Sequence, residues 1–252
     1  MVGHFVVLTL AGLFVLAGFW QLDRLHQVGE QNAVMKARRA LPVAGLATVA
    51  RPSDASAPAA LQRRVVVTGR YDVTHQAFEF NELDGQPGVD VLTPLITPDG
   101  SAVMVDRGWV PAQPPQQSLP VASDPPAGPD VRVDGYVLPG GEGGSATVTG
   151  GLIQLTRINL ELMQPHVPYD LYPVFVRLQT QDPAQPTGLP RPSPPPALDE
   201  GPHLSYAIQW FTFTAIGLIG WPILLRKAAR DRERASANPT TSAKLPPMDL
   251  PR

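Results

Sequence analysis

The chain contains no cysteine. It therefore folds without disulfides in any compartment, and thiolate sites for zinc, copper or iron–sulfur clusters are excluded along with every cysteine nucleophile. Gly-x-Ser-x-Gly is missing too, which removes the nucleophile-elbow hydrolases. His75 and His166 have no second ligand at metal spacing. The cluster Gly140-Gly141-Glu142-Gly143-Gly144 is followed by neither Lys-Ser nor Lys-Thr. It reads as a strand-connecting loop and not as a phosphate cradle. With no nucleophile, metal site or paired acids in view, the chain does not read as an enzyme.

Charge is missing from two long runs: no Asp, Glu, Lys or Arg occurs from Met1 to Leu22 or from Leu204 to Leu225. As helices, runs of this length rise about 33 Å, enough to cross a hydrocarbon core of about 30 Å. Two transmembrane helices are expected, at 1–22 and 204–225. A cleaved signal peptide competes for the first, with Val15 and Ala17 as small residues before a cut. A basic leader is missing, however, and the apolar run continues through Phe19 and Trp20, so a retained anchor is the reading adopted.

The charges that do occur orient these spans. Residues 23–203 carry 13 Lys+Arg against 19 Asp+Glu, whereas 226–252 carry 7 against 3. Arg226, Lys227, Arg230, Arg232 and Arg234 directly follow the second span, so the positive-inside rule puts the tail in the cytoplasm and residues 23–203 outside it. With two spans the N-terminus is cytoplasmic as well. Arg24, Lys36, Arg38 and Arg39 run against this orientation at the first span; the denser cluster after the second carries the assignment. The chain is thus expected in the cell membrane, in contact with the lipid bilayer and with no feature for nucleic acid.

Between the spans, short runs of β-type residues alternate with turn residues and no long helical periodicity intervenes. Strands are expected at Arg63–Val73, Gln76–Asn81 (with Phe78 and Phe80 on one face), Val89–Thr97, Ala102–Val110, Val131–Leu138, Leu152–Ile158 and Val174–Thr180. Pro98-Asp99-Gly100 supplies a hairpin turn. A short helix is expected over Asn159–Gln164 with Asn159 as N-cap. This spacing predicts an extracytoplasmic antiparallel β-barrel or sandwich-like domain at 63–181. A linker at 23–62, a Pro-rich linker at 182–203 and a basic, disordered tail at 226–252 complete the organisation.

Three constellations bear on function. His203, Tyr206 and Trp210 open the second span at i, i+3 and i+7, on one helix face. An imidazole at the outer boundary above aromatic planes suits an axial haem ligand; an aromatic belt with a solvated histidine is the alternative. Trp20 and Arg24 close the first span as an interfacial anchor or as partners for a carboxylate. Arg107-Gly108-Trp109-Val110-Pro111 ends a strand, where Arg107 either holds a propionate or other carboxylate or locks a strand corner. Ser205, Gln209 and Thr212 share a neighbouring face and are expected to hydrogen-bond to the first helix.

Taken with Gly18, Gln21, Gly69, Tyr71 and Thr93-Pro94-Leu95, the runs Arg107–Pro111 and His203-Leu204-Ser205-Tyr206-Ala207-Ile208-Gln209-Trp210-Phe211 resemble the surfeit locus protein 1 family over almost the whole chain. The resemblance implies a non-enzymatic chaperone of the respiratory chain, a membrane assembly factor for cytochrome c oxidase and other haem-copper oxidases. It implies transient binding of haem a and its passage to subunit I, with subunit I and the haem a synthesis machinery as partners. It also implies His203 as the axial ligand of haem iron with Trp210 supporting the pocket; from the constellations above, Tyr206 is expected to pack the ring too, with Trp20 beside it and Arg24 or Arg107 meeting propionates. A scaffold that never binds haem is the alternative. Gly201-Pro202 stands where the family often has Asn-Gly, Asp106 where it often has Asn, and His26-Gln27 where a Lys is common. With Arg exceeding Lys, these departures point to a divergent bacterial branch.

Overall fold

The computed structural model describes residues 2–54, 57–112, 124–128, 130–149, 151–185 and 188–237. The chain divides into two compact units, one of Met1–Asn32 with Asp199–Arg252 and one of Ala33–Leu198. Two long helices dominate the first: α1 (Val2–Arg39) and α4 (His203–Ala237). Both outrun their apolar segments. Residues 23–39 contain no proline and many good helix formers, so α1 continues through the stretch expected as a linker; α4 likewise continues through its basic residues, past Pro222. The last part of the expected tail, from residue 238, lies outside the described residues.

Along the apolar windows only 11% of α1 and 6% of α4 is buried by protein. A core helix of a soluble protein would be largely covered, so length, composition and exposure together mark the chain as membrane-anchored. What α1 and α4 do bury lies on one seam each. Ala11, Gly18 and Gln21 are the buried residues of α1, and Ala207 is that of α4. The helices run antiparallel, since Phe14 stacks on Trp210 with ring centroids 5.4 Å apart and His4 meets Trp221 edge-on at 5.7 Å. Gly18 permits this approach: a Cβ there would lie 2.7 Å from the Phe211 ring.

The second unit is a mixed sheet of nine strands: β1 (Ala44–Gly45), β2 (Arg64–Tyr71), β3 (Ala77–Leu83), β4 (Gln86–Ile96), β5 (Ala102–Pro111), β6 (Val131–Pro139), β7 (Ala146–Thr149), β8 (Leu152–Leu155) and β9 (Leu171–Asp182). Short helices α2 (Leu46–Val49) and α3 (Leu160–Met163) complete it. The order is β1-β2-β6-β9-β5-β4-β3-β8-β7, and the end of β2 also pairs with β4 through Arg70 and Tyr71. The expected strands are therefore present, but the antiparallel reading needs correction: β1 with β2, β3 with β8, and β5 with β9 are parallel. Chain-distant strands meet in two of these pairs, and alternation along one strand says nothing about the direction of its neighbour.

Period-two patterning explains where the core lies. In β2, Val65, Val67 and Tyr71 point inward; in β6, Val131, Val133 and Val137 do. The central strand β5 is buried on both faces, so Val103 and Val105 enter one cluster while Ala102 and Met104 enter another with Leu92, Ile153 and Phe175. Residues 44–62, expected outside the domain, contribute Leu46, Ala50, Ala57 and Ala60 to the first cluster. The Asn159 side chain caps α3 by accepting from the N–H groups of Glu161 and Leu162, as its sequence position foretold. Between β4 and β5, Thr97 and Ser101 close the Pro98-Asp99-Gly100 turn through a 2.8 Å backbone bond.

Candidate functional site at the head of the helix pair

The second long helix begins at a turn built to deliver His203. The Gly201 N–H donates to Asp199 Oδ1 at 2.9 Å, Gly201 takes φ +68°, and the Ser205 hydroxyl donates to the Pro202 carbonyl at 2.7 Å. These short local bonds fix the turn through which the chain enters the helix. His203 is thereby placed against α1, where its Nδ1 lies 2.8 Å from Gln21 Oε1. Gln21 is only 9% exposed.

That contact decides what the imidazole offers. An amide oxygen only accepts, so the contact calls for the Nδ1–H form of the ring as donor, and in the neutral Nδ1–H tautomer the lone pair belongs to Nε2. A protein group that fixes one ring nitrogen in this way orients and primes the other for a metal centre. The Nε2 edge lies beside the turn at Gly201, within ordinary contact distance (3.6 Å) of where a Cβ would stand there. An imidazole presented in this way has the donor chemistry that an iron porphyrin would take from its protein.

Around this imidazole the expected residues separate into groups. Trp210 is half-buried and packed on Phe14, one helical turn and more below His203. Trp20 (58% exposed) and Tyr206 (46% exposed) stand on the uncovered sides of α1 and α4. Arg24 is exposed, its guanidinium donating to Gln27 Oε1 at 2.8 Å while Gln27 donates to Asp23 Oδ2 at 2.7 Å. Ser205 and Thr212 do not bond to α1: their hydroxyls donate to carbonyls of their own helix, Pro202 and Ile208. Both sit away from the seam that faces α1.

Arg107 belongs to the sheet unit and has no exposed surface. Its guanidinium lies 5.4 Å over the Tyr71 ring and donates to Thr93 Oγ1 at 3.4 Å. Burial lowers its pKa to about 10, against the raising influence of Tyr71 and Asp124. Its neighbours in sequence clamp the Pro-rich segment. Trp109 and Arg191 exchange both backbone hydrogen bonds at 2.8 Å, and the Arg191 guanidinium lies 5.3 Å over the Trp109 indole and 3.1 Å from Asp84. Gly108, at φ +112°, has no room for a side chain: a Cβ would fall 2.2 Å from the Arg191 carbonyl oxygen.

Beneath this clamp lies a polar cluster that sequence reading missed. Asp106, fully buried, accepts from Arg177 Nε at 2.8 Å and from the Gly108 N–H at 3.0 Å. Asp90 accepts from Asn81 at 2.7 Å and from Ser193 at 3.3 Å. Glu79 sits opposite Asp90 in the ladder. Burial, then Asp90, raise the Asp106 pKa; burial, then Asp90 and Asp106, raise that of Glu79 to about 7. Alternating acidic residues on neighbouring strands were the available signal, visible only once register was known.

Among known proteins, the model of the SURF1 family matches residues 8–215. A SURF1-like protein of Mycobacterium bovis is 32% identical over 248 residues, covering 94% of this chain and 85% of its own length, and one from Mycobacterium tuberculosis matches equally. A SURF1-like protein of Monosiga brevicollis is 29% identical over 83% of this chain and 82% of its own.

Proposed function

Since the chain belongs to the SURF1 family, we propose that it is a membrane assembly factor for a haem-copper oxidase, binding haem a transiently and aiding its delivery to subunit I. The observation that carries this reading is the 2.8 Å contact of His203 Nδ1 with Gln21 Oε1. It leaves Nε2 as a ligand at the outer end of two apolar helices, where a lipid-embedded macrocycle with polar propionates is at home. Haem, when bound, would supply an iron for which the His203 imidazole is the protein ligand. Trp210, Tyr206 and Trp20 would offer aromatic surface to the ring, and the exposed Arg24 guanidinium, now bonded to Gln27, would be the partner for a propionate. Arg107, enclosed in the sheet, is better placed to hold β5 than to meet a ligand.

The basic residues after position 225 support an orientation with both termini in the cytoplasm and the sheet domain on the opposite side of the cell membrane. The protein turns over no substrate in this reading; it holds a cargo and releases it.

The test is the visible spectrum of full-length protein purified in detergent from cells that make haem a. We expect a Soret band, lost in His203→Ala and weakened and shifted in Gln21→Leu, which leaves Nδ1 without its acceptor. A parent protein lacking the band under haem-replete conditions overturns haem binding and leaves a scaffold. A band unchanged in His203→Ala keeps haem but rejects the ligand.

A further inference from the structure

Residues 189–194 of the Pro-rich segment are stitched to the sheet at nearly every step. Leu189 packs on the cluster of Phe78, Val89, Val91 and Val110. Arg191 takes both backbone bonds of Trp109, lies over its indole and reaches Asp84. Ser193, only 7% exposed, donates to Asp90, and the Pro194 carbonyl accepts from Arg177 Nη1 at 3.5 Å. The last two contacts end on the polar cluster, so this strap and the cluster share hydrogen bonds.

The cluster is short of positive charge. Glu79 on β3 faces Asp90 on β4; Asp106 on β5 follows, and Arg177 on β9 pairs with Asp106. Three carboxyl groups thus meet one guanidinium. From the other elements Glu79 meets uncharged groups: Leu155 opposes it on β8, and the Ile158 N–H donates to its carboxyl group. The strap brings the neutral Ser193, while its Arg191 is committed to Asp84 and the indole. With Glu79 protonated, Asp90 and Asp106 are served by the donors they have. Ionised Glu79 sets a further negative charge against Asp90 without adding a cation. Water relieves such crowding, because it solvates the charged forms that burial penalises. Asp90 is 1% exposed and bonded beneath Ser193, so water reaches it when the strap lifts.

We propose that residues 189–194 form a proton-controlled strap, held on the sheet while Glu79 is protonated and released when Glu79 ionises against Asp90. The Glu79 pKa, raised to about 7 by burial and then by Asp90 and Asp106, sets the range. Asp106, raised by burial and by Asp90, acts in the same direction. In the open, hydrated state the Glu79 carboxyl returns towards its ordinary value of about 4.3, so opening grows above that pH and levels off beyond 7. Along the chain the strap leads through residues 195–202 to His203, so release adds slack to the segment that starts α4. The inference uses the sheet unit alone and does not rest on haem binding.

The test is amide hydrogen exchange of the full-length protein in detergent, read as protection factors so that the intrinsic pH dependence cancels. Between about pH 5 and pH 8 the Trp109 and Arg191 amides should lose protection on the order of tenfold, while amides of the β2–β6 ladder keep theirs. Glu79→Gln, which cannot ionise, should hold the strap amides nearly constant over that range. Ser193→Ala should lower their protection already at pH 5. Equal losses in strap and ladder, strap protection indifferent to pH, or a pH-dependent loss that persists in Glu79→Gln would each overturn the proposal. A reciprocal measurement leaves Glu79 intact. Gly108→Ala, which lifts residues 191–192, should move the Glu79 titration, followed by carboxyl carbon NMR, towards lower pH. A midpoint that stays where it is in the parent would mean that strap and proton are not linked.

Discussion

Substituting Gly108 by alanine probes the clamp between β5 and the Pro-rich segment that leads to α4. At φ +112° an L-residue costs about 1–3 kcal/mol in backbone strain. The added Cβ, 2.2 Å from the Arg191 carbonyl oxygen and 2.9 Å from the Pro192 Cα, cannot be relieved by rotating a side chain, because both neighbours are backbone. Residues 191–192 must lift away. That breaks the two hydrogen bonds between Trp109 and Arg191, each contributing about 0.5–1.5 kcal/mol. The guanidinium–indole contact, worth about 0.5–1 kcal/mol, goes with them. The total, about 2.5–7 kcal/mol, is a large share of the roughly 5–15 kcal/mol that holds a typical domain together. For a unit of this size the melting temperature should fall on the order of 10 °C. Thermal unfolding of the detergent-purified full chain reads the global effect, and amide exchange at Trp109 and Arg191 reads the clamp itself. If Gly108→Ala melts within about 2 °C of the parent and both amides stay equally protected, the clamp is not what the glycine serves.

Two further outcomes follow from the geometry. Glu79, whose pKa is raised to about 7 by burial and by the facing Asp90 and Asp106, with Arg177 partly opposing, binds its proton more tightly folded than unfolded. Its favourable contribution is complete below about pH 4.3 and is lost as pH climbs through 7. Glu79→Gln should therefore match or slightly trail the parent at pH 4 and gain melting temperature over it steadily towards pH 8; parallel profiles would contradict the assignment. In the helix pair, Gly18→Leu forces side-chain atoms into the space of the Phe211 ring, an overpacking of about 1–3 kcal/mol. Disulfide formation between Phe14→Cys and Trp210→Cys, whose rings now stack at 5.4 Å, should drop when Gly18→Leu is added. Undiminished cross-linking would mean the helices do not rely on that glycine.

Much of this protein is written in local patterns, and local patterns survive in a linear sequence. The two uncharged runs foretold α1 and α4 because hydropathy acts on each helix by itself. Alternating Val65, Val67 and Val131, Val133 foretold strands, and Asn159 foretold its cap, since each depends on neighbours within a few residues. His203 stood out for the same reason: its relation to Tyr206 and Trp210 is fixed by helical period alone.

What depended on chain-distant partners could only come from tertiary structure. The parallel pairing of β5 with β9 joins segments some seventy residues apart, and no alternation encodes a neighbour's direction. The bond between His203 and Gln21 spans 182 positions, and without it nothing in the sequence says which imidazole nitrogen faces α1. Arg107, a candidate beside a carboxylate, and Trp109 stand two residues apart in the sequence. Packing divided them, burying the guanidinium over Tyr71 and setting the indole against Arg191, because burial is a property of all the elements that surround a side chain and not of the strand that carries it.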